Sequence, residues 1–272
     1  MKDDINFIKL HFKKCHGYEL NLDNPQTFSE KIQWIKLYGK LDRFAKYVDK
    51  YKVREFVKER IGEQYLIPLI GVYDNVNKID ISSLPKSFVI KATHGCGWNI
   101  IVKDKSKLDW NLARKQITSW INTNYYHLFG ERQYNPLKGR IIIEELLQDP
   151  SGDLKDFKLF TFHGNPMYIQ VDGNRFSGHK RDVYDSNWKR LPYKIIYKKF
   201  SEPIQRPKRL DEMIEIASKL AHDFAFARID LYYPNDRIYF GEITFTPSNG
   251  FKRYPIEYEN LLGKFIDLKK YH

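Results

Sequence analysis

The sequence is poor in cysteine and has no long hydrophobic run. Its 272 residues include two cysteines, Cys15 and Cys96, which are too few for a disulfide framework and lack the spacing of a zinc site. No apolar stretch approaches the ~20 residues that a membrane span requires, and the first residues, MKDDINFIKL, do not resemble a signal peptide. We therefore expect a cytoplasmic protein with reduced thiols.

Two common nucleotide-binding signatures are also missing. No Gly-Lys-Ser or Gly-Lys-Thr follows a glycine loop, and the Rossmann glycine fingerprint does not occur. The sequence contains neither internal repeats nor low-complexity segments. Hydrophobic residues make up 42% of the chain and aromatic residues 15%, which is enough for a large core and excludes a disordered protein.

Positive charge is in excess. The chain has 46 Lys and Arg against 34 Asp and Glu, a net charge of +12, and its mean hydropathy is −0.59. Basic and acidic residues are closely interleaved, as in KYVDKYKVREFVKER, which is typical of solvated helix surfaces. Zinc-finger and RRM patterns are absent, so nucleic acid is not favoured as the main partner. An acidic small molecule, a phosphorylated nucleotide or an anionic membrane surface explains the excess at least as well.

Hydrophobic periodicity predicts an α+β fold. Helices are predicted over 27–61, with a second helix from 49 to 61, and over 108–126 and 209–224, with caps at Thr27 or Ser29 and at Asp109. Strands and hairpins are predicted over 66–75, 87–104, 140–147, 155–172 with its turn at 163–166, and 226–250 with its turn at 234–236.

The final hairpin brings two acids together. Asp230 and Glu242 lie twelve positions apart across a three-residue turn, so antiparallel pairing places them on neighbouring strands, with Thr244 on the same face as Glu242. Apolar neighbours make two carboxylates costly unless a partner compensates them, and Mg²⁺ is a suitable partner. Alternatively, both acids face solvent or form a salt bridge with Arg228.

The segment KATHGCGWN, residues 91–99, combines a cation with a glycine loop. Lys91 ends an apolar strand, and Gly95 and Gly97 allow backbone amides to approach phosphate oxygens. The alternative is a plain hairpin turn.

The apolar strand IIIEELLQD, residues 141–149, contains two glutamates. A purine ring could stack among its side chains while backbone groups contact the ring edge and a nearby acid accepts from a ribose hydroxyl. The alternative is an edge strand that runs into a loop, and the segment by itself favours that alternative.

Taken in order, seven segments resemble the ATP-grasp superfamily, and most closely its teichuronopeptide-biosynthesis (TupA-like) branch. They are FSEKIQWIKLY, VDKYKVREFV, YLIPLIGVYD, FVIKATHGCGWNIIVKD, IIIEELL, LKDFKLFTFHGNPMYIQVD and ARIDLYYPNDRIYFGEITFTPSNGF. The resemblance implies an α+β ATP-grasp fold in which two α+β lobes enclose the nucleotide. The implied domains are a helical N-terminal segment at 1–65 and an ATP-grasp domain at 66–272, with a glycine-loop lobe of about 66–143 and a metal-binding lobe of about 144–272.

The resemblance also assigns residues to ATP. The implied contacts are Lys50, Lys91, Gly95, Gly97, Glu144, Glu145, Leu147, Asp156 and Lys158. Among them, Lys50 and Lys91 contact phosphate or adenine, and Lys158 contacts phosphate. Glu144 accepts from the adenine amino group, and Asp156 lies near the ribose. Glu145 and Leu147 contribute backbone groups.

The same resemblance implies that Asp230 and Glu242 bind Mg²⁺. Thr244 stands where the family commonly has a third ligand, Asn, and is a weaker oxygen donor. Arg228 is expected to steady the acyl-phosphate and the tetrahedral species formed from it, a role that suits a fixed cation. Asn249 lies in the loop that is expected to face the substrate.

The implied reaction joins a carboxylate to an amine. ATP phosphorylates the carboxylate and the amine then displaces phosphate, so the protein needs to position and neutralise rather than supply a nucleophile. The branch implies a hexuronic acid acceptor and an amine donor in cell-surface polysaccharide synthesis, with peripheral association at the inner face of the membrane. A basic loop at 173–182 is expected to bind the acidic acceptor through Arg175, His179, Lys180 and Arg181, unless it is only a solvated loop.

Two other classes of function stay open on the sequence alone. A glycosyltransferase would use a nucleotide sugar without consuming ATP, and a nucleic-acid-binding protein has only the net charge in its favour. Consumption of ATP separates the ligase from both.

Overall fold

The computed structural model describes residues 2–175 and 177–271, and Met1, Phe176 and His272 lie outside the described residues. Its helices are α1 (Lys2–His16), α2 (Phe28–Tyr38), α3 (Ala45–Val48), α4 (Val53–Ile61), α5 (Trp110–Ile121), α6 (Tyr126–Phe129), α7 (Leu210–Ala221) and α8 (Ile256–Phe265). Its strands are β1 (Leu69–Tyr73), β2 (Phe88–Ala92), β3 (Asn99–Val102), β4 (Ile141–Glu145), β5 (Asp156–Phe162), β6 (Asn165–Gly173), β7 (Lys180–Asp185), β8 (Phe226–Tyr232) and β9 (Tyr239–Thr244). The predicted α+β class is confirmed.

The chain divides into two compact units. The first comprises residues 1–40 and 149–272, and the second comprises residues 41–148. The predicted N-terminal segment 1–65 is therefore shared between the two units, and the predicted lobe boundary near 143 lies a few residues before the end of the second unit.

The second unit is built on a four-stranded antiparallel sheet. Its strand order is β1-β4-β2-β3, so β4 pairs with both β1 and β2. Phe88 and Ile90 on β2 and Ile141 and Ile143 on β4 are buried, and they form one core cluster with Trp120 of α5. Removal of these apolar side chains from water is what stabilises the unit.

The first unit is built on a five-stranded antiparallel sheet of order β7-β6-β5-β8-β9. Leu159 and Leu231 lie on one face and are fully buried, and α7 packs against β5, β6 and β8. On the opposite face, Phe160 and Phe226 contact the ring of Phe28 on α2. The same face carries the charged side chains of Lys158 and Asp230, since side chains alternate along each strand.

The helix predicted over 27–61 is interrupted. It begins as predicted at Thr27, whose side chain forms a capping box with Glu30, but it ends at Tyr38. Gly39 caps its C-terminus, and a Cβ atom at Gly39 would lie 2.6 Å from the carbonyl oxygen of Ile35. The next residue, Lys40, has a φ of 49°, which takes the chain out of the helix.

Four elements were not predicted. They are α1, α6, α8 and β7, and the last corrects the basic loop predicted over 173–182. Lys180 and Arg181 are strand residues, paired with Gly173 and Asp172 of β6. Phe176, inside the predicted loop, lies outside the described residues. Among residues 2–175 and 177–271, no helix has the length and apolar character that a membrane crossing requires.

Candidate functional site

The β8–β9 hairpin places two carboxylates side by side. Asp230 pairs with Glu242, and Arg228 pairs with Thr244, across the neighbouring strands that the sequence predicts. Arg228 donates from Nε and Nη2 to the two oxygens of Asp230, at 2.6 and 2.7 Å, and from Nη2 to Glu242 at 3.2 Å. Thr244 donates to Glu242 Oε1 at 3.1 Å. The alternative salt bridge with Arg228 is thus present in the structure.

Lys158 extends this group across β5. It is the register partner of Asp230, and its Nζ donates to Asp230 Oδ2 at 2.6 Å and to Asp156 Oδ2 at 2.8 Å. Asp156 is almost completely buried, and its other oxygen, Oδ1, has no hydrogen-bond partner among the described residues. A buried acceptor without a partner is unusual, and a hydroxyl or amine of a ligand would satisfy it.

Two cations, Lys158 and Arg228, partly compensate the three carboxylates of this group. Burial alone would lower the pKa of Lys158, but the carboxylates of Asp156 and Asp230 raise it. Asp230 and Glu242 likewise raise the pKa of Arg228 against the effect of its burial. Both cations therefore stay protonated at neutral pH, where they compensate the carboxylates of the same sheet face.

The donor set suits a hard divalent cation. Asp230, Glu242 and Thr244 offer carboxylate and hydroxyl oxygens from adjacent strands, which is the chemistry that Mg²⁺ prefers. The described residues hold no cluster of three or more His, Cys, Asp or Glu that could bind a metal alone. Lys158 and Arg228 already contact Asp230 and so compete with a metal ion for its oxygens. Anionic phosphates bound beside the metal ion would attract these two side chains and leave Asp230 available as a ligand.

Three of the four predicted acceptor residues contact buried aspartates, and the fourth is a strand residue. Arg175 donates to Asp156 Oδ2 at 2.7 Å. His179 and Arg181 both contact Asp172 Oδ1, at 2.9 and 2.6 Å. Lys180 begins β7 and lies beside them on the edge strand of the sheet. The alternative of a purely solvated loop does not describe Arg175, His179 or Arg181, because their side chains contact buried aspartates.

Asp172 is the shared partner of His179 and Arg181. Burial alone would raise its pKa, but the hydrogen bond and charge of Arg181, with further contributions from Lys158 and His179, lower it to about 2. The ring of Tyr197 stacks on His179 at 3.6 Å between centroids and lies 4.8 Å from the guanidinium of Arg181. A cationic and aromatic surface of this kind can bind an anionic sugar.

In the second unit, Glu144 forms a buried cluster with two cations. Its Oε2 accepts from Lys91 Nζ at 2.7 Å, and its Oε1 accepts from Arg54 at 2.9 Å. Arg54 also donates to the carbonyl oxygen of Ile67 at 2.9 Å, which fixes its orientation. The structure therefore brings together Lys91 and Glu144, both predicted to contact ATP, and adds Arg54.

The glycine loop is the turn between β2 and β3. Lys50 donates to the carbonyl oxygen of Gly95 at 2.5 Å, which links another predicted ATP residue to this loop. A Cβ at Gly95 would lie 2.7 Å from the ring of Trp98, so glycine is needed there for packing. Gly97 has a φ of 73° with open space around it, a conformation that favours glycine. The loop is therefore a hairpin turn that leaves room at Gly97 for a ligand.

Three predicted residues lie at the ends of strands. The N–H of Glu145 donates to the carbonyl oxygen of Pro68 at 3.1 Å, and its side chain is exposed. Leu147 follows β4 and is half-buried. Asn249 lies in the turn after β9, and its carbonyl oxygen accepts from Gln33 at 2.8 Å.

Sequence reasoning missed Arg54 and Asp172. Arg54 lies 90 positions before its partner Glu144, and nothing in one sequence connects them. Asp172 had a usable signal, because the hairpin predicted over 155–172 places it on the strand next to Asp156, where a register shift makes the two residues direct partners. Two facing acids predict nearby cations, which here are Lys158 and Arg181.

Comparison with known proteins identifies a family. A model of the family described as TupA-like ATPgrasp matches residues 30–267, whereas no curated protein matches the chain. Solved structures of similar fold include D-alanine–D-alanine ligase from Bacillus anthracis, with 15% identity, a TM-score of 0.46, and coverage of 90% of this chain and 70% of that one. The same enzyme complexed with ATP has 15% identity and a TM-score of 0.41, and 80% of this chain spans 55% of that one.

A third similar structure is the ATP-grasp ligase PsnB complexed with minimal precursor. It has 8% identity and a TM-score of 0.47, with coverage of 90% of this chain and 68% of that one. The family model, by contrast, covers most of the chain, from residue 30 to residue 267, and so confirms the α+β ATP-grasp fold that the seven segments imply. The protein belongs to the TupA-like ATP-grasp family.

Proposed function

We propose that the protein is an ATP-dependent carboxylate–amine ligase that amidates a hexuronic acid during synthesis of a cell-surface polysaccharide. The match of the TupA-like family model to residues 30–267 is the observation that carries this proposal. A group of two cations and three carboxylates supports it, because phosphoryl transfer needs fixed charges more than a nucleophile. The group consists of Asp156, Lys158, Arg228, Asp230 and Glu242.

In the proposed reaction, a carboxylate oxygen of the hexuronic acid attacks the γ-phosphorus of ATP, which gives an acyl-phosphate and ADP. The amine then attacks the acyl carbon and expels inorganic phosphate, which leaves the amide and a released proton. Mg²⁺, when bound, neutralises phosphate charge. Asp230, Glu242 and Thr244 are the residues that would hold it.

The protein's own residues have separate roles in this scheme. Lys158 and Arg228 stay protonated and attract the transferred phosphoryl group, and Arg228 also stabilises charge that develops on the acyl group. In the second unit, Lys91, Lys50 and Glu144 bind ATP, with Gly95 and Gly97 in the glycine loop and backbone groups of Glu145 and Leu147. Asp156 accepts a hydrogen bond from the nucleotide ribose through its buried Oδ1.

Arg175, His179, Lys180 and Arg181 form the proposed surface for the acidic acceptor, and Asn249 contacts the substrate. We further propose a cytoplasmic location, with peripheral association at the inner face of the membrane where an acidic polysaccharide precursor is assembled. The net charge of +12 supports attraction to either anionic partner.

The test is ATP turnover over a panel of hexuronic acids and amines. The proposal predicts release of ADP and phosphate only when both a hexuronic acid and an amine are present. A nucleotide sugar that is consumed without ATP would instead identify a glycosyltransferase. Tight, salt-sensitive binding of nucleic acid without ATP turnover would identify the other alternative class.

A further inference from the structure

Helix α2 carries a stripe of polar side chains that are completely buried. Ser29, Gln33 and Lys36 are spaced i, i+4 and i+7 on one side of the helix, and each has 0% exposure. Burial of a lysine is costly unless its ammonium group is compensated by polar contacts. Each of the three side chains has a polar partner, which makes its burial acceptable.

The two ends of the stripe have different targets. Ser29 donates from its hydroxyl and its backbone N–H to Glu259 of α8, at 2.6 and 2.8 Å. Gln33 Nε2 and Lys36 Nζ both donate to a single acceptor, the carbonyl oxygen of Asn249, at 2.8 and 3.2 Å. The first contact joins two helices, whereas the second pair holds the turn after β9.

That turn has an unusual backbone. Ser248, Asn249 and Gly250 are successive residues with φ angles of 52°, 57° and 64°, all in the left-handed region. Residues other than glycine adopt this region only at an energetic cost, so the surroundings must hold the turn in place. A Cβ at Gly250 would lie 2.6 Å from Gln33 Nε2, which shows how closely α2 supports it.

Two further contacts reach the same turn. The ring of His16 on α1 is hydrogen-bonded to the carbonyl oxygen of Gly250 at 3.0 Å. Lys36 Nζ lies 4.3 Å from the centre of the ring of Phe251, the residue after the turn. Helices α1 and α2 thus fix the backbone that directly follows the strand of Glu242.

We propose that Gln33 and Lys36 are positioning residues for the acceptor step. They hold the turn 247–250 in its left-handed form so that Ser248 and Asn249 are oriented before the hexuronic acid binds. The inference rests on the proposed function, in which Asn249 contacts the substrate. Loss of either bond lets the turn relax, which weakens capture of the acceptor and slows ligation but leaves ATP binding intact.

The test compares Gln33→Leu and Lys36→Met with Ser29→Ala. The Ser29→Ala control removes a buried hydrogen bond of the same stripe, but this bond leads to α8 and not to the turn. It therefore measures how the loss of any buried polar contact of α2 affects exchange and kinetics. Exchange of the backbone amides of Asn249 and Phe251, which donate within the turn to Thr246 and Ser248, is measured in the intact chain at matched global stability. Kinetics use D-glucuronate and D-galacturonate as acceptors and hydroxylamine as the amine.

We expect the two turn variants to accelerate exchange of these amides by about tenfold or more, while the control keeps the rate of the unsubstituted protein. We also expect their KM for the acceptor to rise about tenfold with a lower kcat, while KM for ATP changes by less than about twofold.

Equal exchange in all three variants overturns the inference, and so does faster exchange with unchanged acceptor kinetics. An unsubstituted protein that releases no ADP with either acid contradicts the proposed function and removes the acceptor role. The exchange comparison then still decides whether Gln33 and Lys36 hold the turn, so the two failures are distinguishable.

Discussion

Lys158 Nζ lies 2.6 Å from Asp230 Oδ2, and the two residues are direct register partners on β5 and β8. Asp230 also receives two hydrogen bonds from Arg228. One of the two carboxylates expected to bind Mg²⁺ is therefore embedded between cations, whereas the side chain of the other, Glu242, is 33% exposed. Substitutions of these two acids should have different effects on stability.

Asp230→Asn is expected to reduce the free energy of unfolding by about 3 kcal/mol, because two buried cations lose their carboxylate. Glu242→Gln should cost less than about 1 kcal/mol, since its side chain is partly exposed. Both should lower ADP release by at least about 10²-fold, because each removes charge from the metal site. Urea unfolding measures the stability, and an ADP assay measures the activity. Full activity in both variants would show that the two acids are structural and do not bind the metal ion.

Lys91 and Arg228 should affect different steps. Lys91→Met is expected to raise the Kd for ATP about tenfold, because a charge-assisted contact is lost. Arg228→Met should change that Kd by less than about threefold but slow ligation about 10²-fold, because it acts on charge that develops during the reaction. Titration calorimetry and single-turnover rates check this, with the exposed Lys86→Met as control. The reverse pattern would exchange the two assigned roles.

The fold could be predicted from the sequence largely because its hairpins are local. Asp230 and Glu242 lie within one predicted hairpin, which places them on neighbouring strands. Their direct pairing also depends on a register shift beside Asp230, which the position of the turn does not give. The capping box at Thr27 was visible in local spacing alone.

The parts that were missed depend on contacts between distant segments. Glycine at position 39 ends α2 by close packing, which periodicity does not encode. The bonds from Gln33 to Asn249 join residues 216 positions apart. Strand β7 was taken for a loop because its first residues, Lys180 and Arg181, are basic, and only Asp172 on the neighbouring strand makes a buried Arg181 acceptable.

Asp172 predicts a specific pH dependence of stability. Its folded pKa of about 2 lies below the ordinary value of 3.8, so its contribution is fully present above about pH 4 and is lost as the pH falls through 2. Asp172→Asn should therefore lower the free energy of unfolding by about 2 kcal/mol at pH 7. The difference between the two proteins should vanish near pH 2, as measured by urea unfolding across this range. A difference that stays constant with pH would contradict the ion pair.

The acceptor surface can be tested without disturbing Asp172. Arg175 is 47% exposed at its side chain and Lys180 is half-buried, whereas Arg181 is needed for the buried ion pair. The double variant Arg175→Gln, Lys180→Gln should raise the KM for the hexuronic acid and flatten the salt dependence of that KM. At 0.15 M salt, charges more than about 8 Å from the bound acid are largely screened, so only basic groups close to it contribute. The KM for ATP should stay nearly constant.

A matched control neutralises Lys208 and Lys264, two exposed lysines of the same unit. If this control raises the acceptor KM as much as the double variant does, the effect belongs to net charge rather than to the proposed surface. If the double variant weakens ATP binding instead, Arg175 and Lys180 belong to the phosphate site.

Transfer of ¹⁸O from the acceptor carboxylate to phosphate tests the acyl-phosphate ligase most directly. D-Glucuronate and D-galacturonate labelled with ¹⁸O in both carboxylate oxygens are incubated with the protein, ATP, Mg²⁺ and hydroxylamine, and the released phosphate is analysed by mass spectrometry. Attack of a carboxylate oxygen on ATP predicts one ¹⁸O in each phosphate and one equivalent of hydroxamate per ADP. Unlabelled phosphate, or ADP release that does not depend on the acid, would contradict the account.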